Sequence, residues 1–97
     1  MSLEPENTEP IEETSISFLY FGGLKKLKEL GYHPVKQNNL QRALILEEAV
    51  EKYGANEVYR MLYEAWLRNK SEFIRNRLKE DMDWLVINYD IDIYTFL

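Results

Sequence analysis

Residues 56–67 read Asn-Glu-Val-Tyr-Arg-Met-Leu-Tyr-Glu-Ala-Trp-Leu. At helical spacing this stretch is apolar on nearly every side. Val58, Leu62, Ala65 and Trp66 form one stripe at i, i+3 and i+4. Tyr59, Tyr63 and Leu67 form a second, and Met61 fills the gap on the far side. Only Glu57, Arg60 and Glu64 are left as a polar strip. A helix with so little polar surface is wrapped by its neighbours. The stretch is therefore read as the axis of a core, with the other segments as its coat.

Working towards the N-terminus, Leu40 to Tyr53 has the 3.6-residue pattern of a second helix. Ala43, Leu46, Ala49, Val50 and Tyr53 face inward, Leu44 and Ile45 broaden that face, and Glu47, Glu48 and Glu51 form the wet side. Asn38 or Asn39 supplies its N-cap, and Gly54 closes it. Leu24 to Leu30 is a shorter helix with Leu24, Leu27 and Leu30 inward and Lys25, Lys26 and Lys28 outward. Gly31 suits a left-handed C′ position, with Pro34 as a breaker beyond it. Thr14 to Phe21, TSISFLYF, is β-branched and aromatic and reads as a short strand bounded by Gly22-Gly23. The competing reading, a helix from Ser17 through Leu30, would carry two adjacent glycines at a cost of about 2 kcal/mol. Residues 1–13 hold two prolines, five glutamates and few large apolar groups, the composition of an acidic disordered tail.

Working towards the C-terminus, Arg68 to Lys70 form a turn and Ser71 caps a fourth helix. Ile74, Leu78, Met82 and Leu85 lie on one face of that helix, flanked by Phe73 and Trp84. Arg75, Asn76, Lys79, Glu80 and Asp83 form its outer face. Val86 to Leu97, VINYDIDIYTFL, alternates and is rich in Ile, Tyr and Val, which is strand-like. The expected fold is mainly α. A compact bundle of about four helices spans 14–97 as a single domain, with short β-strands near both termini at 14–21 and 86–97. Those strands could pair with each other, or join two copies into a homo-oligomer through an exposed edge.

Composition narrows the function. Ninety-seven residues, 45% hydrophobic and 13% aromatic, suffice for one modest core. There is no cysteine, so neither a disulfide scaffold nor a thiolate metal site can form. No apolar run approaches the roughly 20 residues of a membrane span, and the acidic N-terminus is unlike a signal peptide. The expectation is a soluble protein of the cytoplasm or nucleus, or a virion component, with no membrane partner. The net charge of −5 resides in the tail, since Glu4, Glu6, Glu9, Glu12 and Glu13 have no basic residue among them. The remainder is balanced but split. Arg68, Lys70, Arg75, Arg77 and Lys79 face only Glu72 in one strip, and Glu80, Asp81, Asp83, Asp90 and Asp92 follow it.

No catalytic constellation is visible. His33 is the single histidine and has no second His or Cys to complete a metal or base site. Asn88-Tyr-Asp90-Ile-Asp92 has the look of a calcium loop but lacks its sixth-position glycine and twelfth-position glutamate. Gly22-Gly23 lacks the Lys-Ser/Thr of a phosphate loop. No enzyme activity, cofactor or metal is expected. Two surfaces are the binding candidates. Tyr59, Tyr63 and Leu67 form a stripe without assured cover, suited to a protein partner. Arg68, Lys70, Arg75 and Lys79, one turn after the axial helix, form an anion or nucleic-acid surface laid out like a helix-turn-helix.

Two resemblances follow from these residues. Glu48-Ala-Val-Glu-Lys-Tyr-Gly54, Val58, Arg68-Asn-Lys and Ile74-Arg-Asn-Arg-Leu78 resemble the Myb/SANT three-helix domain. Val58 and Leu78 stand at two of the family's spaced core tryptophan positions. This likeness implies a module binding DNA or histone tails through residues 68–79. The second runs through Leu27-Lys-Glu-Leu-Gly-Tyr32, Arg42-Ala-Leu44, Ala49-Val50, Tyr53-Gly54, Val58, Leu62, Asn69-Lys70 and Asp81-Met-Asp-Trp84-Leu85. Over residues 24–85 it is similar to a small helical domain recurring in nucleocytoplasmic large DNA virus proteins. It implies a viral, non-enzymatic protein–protein interaction or structural module, and it assigns no active site.

Overall fold

The computed structural model describes residues 22–96. In order these form α1 (Gly22–Glu29), α2 (Asn39–Tyr53), α3 (Ala55–Arg68), α4 (Glu72–Asn88) and a 3-10 turn (Ile93–Phe96). No strand occurs among the described residues. The expected strand over 14–21 and the expected acidic tail over 1–13 lie outside them. Helix α3 packs against α1, α2 and α4, the axial position that its sequence implies. Its Val58, Met61, Leu62 and Ala65 are buried. The two stripes are apportioned differently from the sequence reading. Met61 belongs to the buried stripe, whereas Trp66 turns to stack on Tyr63 with centroids 6.1 Å apart.

The helix ends follow from side chains at the expected places. Asn38 caps α2 in a full capping box: its Oδ1 accepts from Gln41 N at 2.8 Å, and Gln41 Oε1 accepts from Asn38 N at 3.0 Å. Ser71 Oγ accepts from Ile74 N at 3.3 Å to start α4. Gly31, at φ +100°, ends α1. Tyr32 N donates to Leu27 O at 3.0 Å and Gly31 N to Lys28 O at 2.9 Å, the paired bonds of a Schellman turn. That turn drives Tyr32 inward beside Leu27, and both are buried. Gly54, at φ +93°, is the single residue between α2 and α3.

Gly22 and Gly23 are the first residues of α1. Space is the reason: a Cβ on Gly23 would lie 2.6 Å from Met61 Cγ and 3.2 Å from Met61 Cα. The glycine lets α1 sit directly on α3, a packing gain that offsets its poor helix propensity.

The C-terminal stretch also departs from expectation. Val86, Ile87 and Asn88 are the last residues of α4 and not the start of a strand. Burial of Leu78, Met82 and Leu85 holds the helix in register through the β-branched Val86 and Ile87, so packing overrides local preference. Tyr89 N then donates to Leu85 O at 2.8 Å, and the Tyr89 ring meets Trp84 edge-on at 5.8 Å. Asp92 N donates to Asn56 Oδ1 at 3.1 Å. Asn56 thus fastens the C-terminal chain to the start of α3. It is not the N-cap of α3; Gly54 holds that place without a side-chain bond. Residues 86–96 thus hold the end of α4 and a 3-10 turn in place of the expected strand.

Candidate functional site

The two surfaces read from the sequence meet in one place. Tyr59 and Tyr63 stack with centroids 6.4 Å apart and planes at 13°, and Trp66 continues the ladder. Helix α4 supplies the next layer, with the Arg75 guanidinium 4.4 Å from the Trp66 ring centre and its Nη1 donating to Trp66 O at 2.9 Å. Lys79 pairs with Asp83 at 2.9 Å, and both lie close enough to act on the Tyr59 hydroxyl, whose pKa is raised chiefly by burial. Aromatic and basic groups therefore form one face across α3 and α4. Leu67, Arg68 and Lys70 are exposed at its end. Arg77 leaves this face: it lies over Phe73, 4.8 Å from the ring centre, and its Nη1 donates to Gln37 O at 2.9 Å.

A buried polar knot was not anticipated. Arg42 of α2 is fully buried and Asp81 of α4 is 4% exposed. Arg42 Nε donates to Asp81 Oδ2 at 2.8 Å and to Oδ1 at 3.1 Å, and the Tyr32 hydroxyl donates to the same Oδ2 at 2.5 Å. The other guanidinium nitrogens reach Gln37 O and Asn39 Oδ1, each at 2.6 Å, and Glu80 Oε1 at 3.2 Å. The Gln37 side chain spans the connector, accepting from His33 N at 2.6 Å and donating to Gly31 O at 2.8 Å. The knot joins the α1–α2 connector to α2 and α4. Burial pushes the Asp81 carboxyl above the usual carboxylate range, against the hydrogen bonds from Tyr32 and Arg42 that pull it down. Burial, with the Asp81 charge beside it, pushes the Tyr32 hydroxyl well above the usual phenol range. With its donors and acceptors paired off internally, the knot is a structural clasp.

The third feature is a cleft of about 280 Å³ between α2 and α4, lined by Asn39, Ala43, Glu80, Asp81, Asp83, Trp84 and Ile87. Ile87 on its rim is 80% exposed, and elsewhere on α2 Leu40 is 69% exposed and Leu44 58%. Leu40 and Leu44 sit a turn apart on α2, and Leu40 also lines a shallow depression with Arg77 and Glu80 at the α2 N-terminus. The sequence places Leu44 on the inward face and Ile87 in a strand, so neither exposure is legible there.

His33 and Asp90 are exposed. Among the described residues no group of three or more His, Asp or Glu is placed to hold a metal ion, and no helix is long and apolar enough to cross a membrane. Comparison with protein-family models, with curated proteins and with solved structures gave no match.

Proposed function

We propose that this chain is a non-enzymatic protein–protein interaction or structural module. The observation that carries the reading is the α2–α4 cleft, where Ile87 stands 80% exposed beside Ala43 and Trp84. Elsewhere on α2, Leu40 and Leu44 are also more than half exposed. Scattered apolar residues are normal on a surface, whereas an exposed apolar side chain beside a cleft with an aromatic wall, as Ile87 is beside Trp84, suits a docking partner. The aromatic ladder Tyr59, Tyr63 and Trp66 supplies a second rigid surface on the opposite flank of α4. The viral part of the reading rests on the resemblance of residues 24–85 alone.

The alternative, a Myb/SANT-like module binding DNA or histone tails through Arg68, Lys70, Arg75 and Lys79, has less support. Arg75 is held on Trp66, Lys79 is bridged to Asp83, and Arg77 points to the α1–α2 connector. Fluorescence anisotropy on duplex DNA near 50 mM salt separates the two: a DNA module binds there and loses binding in an Arg75→Glu/Lys79→Glu variant. Light scattering with affinity capture from the native source tests the main reading. A defined complex or oligomer weakened by Leu40→Asp/Leu44→Asp supports it. A monomer that captures nothing overturns it.

A further inference from the structure

We infer that the α2–α4 cleft is the docking groove for a basic amphipathic helix of a partner protein. This rests on the interaction-module reading and names the class of partner. The size of the cleft is the first argument. At about 280 Å³ it falls below the usual range of small-molecule sites, yet it can admit one or two projecting side chains. Its walls are two helices, and the described residues contain no strand whose edge could take up an extended peptide. Helix-in-groove recognition is the mode that these walls fit, with apolar anchors at i, i+3 or i+4 laid between two ridges.

Charge decides the partner. The residues lining the cleft include Glu80, Asp81 and Asp83 and no Lys or Arg. Arg42 behind the wall is committed to Asp81, and it reaches Glu80 with one nitrogen at 3.2 Å. The Glu80 and Asp83 side chains remain 55% and 58% exposed, so each keeps acceptor positions for a second cation. Towards the far end, the Tyr89 ring meets Trp84, and its hydroxyl pKa is raised by burial first and then by the nearby charges of Glu47 and Glu51 of α2. A helix entering the cleft with leucine-like anchors against Ile87, Trp84 and Ala43 would find carboxylates on both sides of them. Lysine or arginine flanks match that field, and acidic flanks oppose it. A second copy docked face to face by the same cleft would set Glu47, Glu80 and Asp83 against their own images, which disfavours a symmetric dimer here.

Selection from a displayed library of random 16-residue peptides on the full-length chain, with the Ile87→Glu variant selected in parallel, tests the groove. Ile87 is 80% exposed, and circular dichroism with thermal melting verifies that the variant folds. The expected winners carry Leu, Ile or Phe at i, i+3 or i+4 beside Lys or Arg. One such peptide, labelled and titrated by anisotropy, should bind at least tenfold more weakly to Ile87→Glu and to Glu80→Lys/Asp83→Lys, and more weakly as salt rises. Winners that are acidic or uncharged overturn the proposal, as does no enrichment. Basic winners whose binding ignores these substitutions overturn the groove and leave the module reading standing. Self-association in light scattering that Ile87→Glu abolishes makes a second copy the occupant, and also overturns it.

Discussion

Arg42 and Arg60 each hold two carboxylates, and the fold uses them differently. Arg42 joins Asp81 and Glu80 across two helices with its side chain fully buried. Arg60 joins Glu57 and Glu64 along α3 with its side chain 40% exposed. The same ions thus make a tertiary clasp in one place and a solvated strip in the other. In water the second set competes with hydration and salt, and contributes little. In the interior Arg42 and Asp81 have surrendered their hydration, so each depends on the other, while Glu80 stays on the solvent side. Position in the core, and not the number of ion pairs, sets what each is worth.

The largest expected effect comes from breaking the clasp on one side. Asp81→Ala leaves a buried guanidinium without its carboxylate and should cost about 3–5 kcal/mol in urea denaturation. Arg42→Met/Asp81→Leu removes both charges and should recover most of that loss; failure to recover would show that the clasp stabilises by charge as well as by shape. Tyr32→Phe, which deletes one hydrogen bond to a carboxylate, should cost about 1.5–3 kcal/mol. It should also flatten the alkaline limb. The folded hydroxyl titrates above its ordinary value of 10.0 because of burial. Its contribution is therefore fully present below pH 10 and lost as pH rises through the folded pKa.

The two carboxylates should respond to acid with opposite signs. Asp81 is raised from 3.8 by burial, so the native state binds its proton more tightly than the unfolded chain. Its contribution is greatest below that value and declines as pH rises through the folded pKa. Glu57 is lowered from 4.5 by its hydrogen bond from Arg60, so its contribution is present above that value and lost as pH falls through the folded pKa. Stability curves from pH 2 to 7 for Asp81→Asn and Glu57→Gln should diverge from wild type in opposite directions. Smallest of all, Arg60→Ala should cost less than about 1 kcal/mol and matter less still in high salt. A loss matching that of Asp81→Ala would break the comparison.

Much of the fold was legible because its signals are local. The apolar wrap of 56–67, the caps at Asn38 and Ser71 and the positive-φ glycines 31 and 54 are all decided within a few residues. The rest depends on what lies across the core. Gly23 reads as a breaker, and its place inside α1 is explained only by Met61 packed against it. Val86 to Asn88 read as strand until Leu85 is seen anchoring the helix. The clasp did leave a trace: Arg42 stands four residues before Leu46, and Asp81 stands between Leu78 and Leu85 at i+3 and i+4. Charged residues in phase with an apolar stripe signal burial, but composition alone assigns them to the wet face. Of the candidate surfaces, the tyrosine stripe and the basic strip were visible separately. Their union through Trp66 and Arg75, and the α2–α4 cleft, required the helices to be placed.

The Tyr32–Asp81 bond spans 49 residues and the Arg42–Asp81 bonds span 39. Gly54, by contrast, turns α2 into α3 within a single residue. Bringing distant groups together costs more chain entropy than closing a tight corner, so the assembly order is biased. The α2–α3 hairpin is the segment expected to organise in the folding transition state, and the clasp is expected to lock after it. Asp81→Asn and Tyr32→Phe should then act mainly on the unfolding rate. By this logic the buried ions contribute little to how quickly the chain finds its shape and much to how long it keeps it.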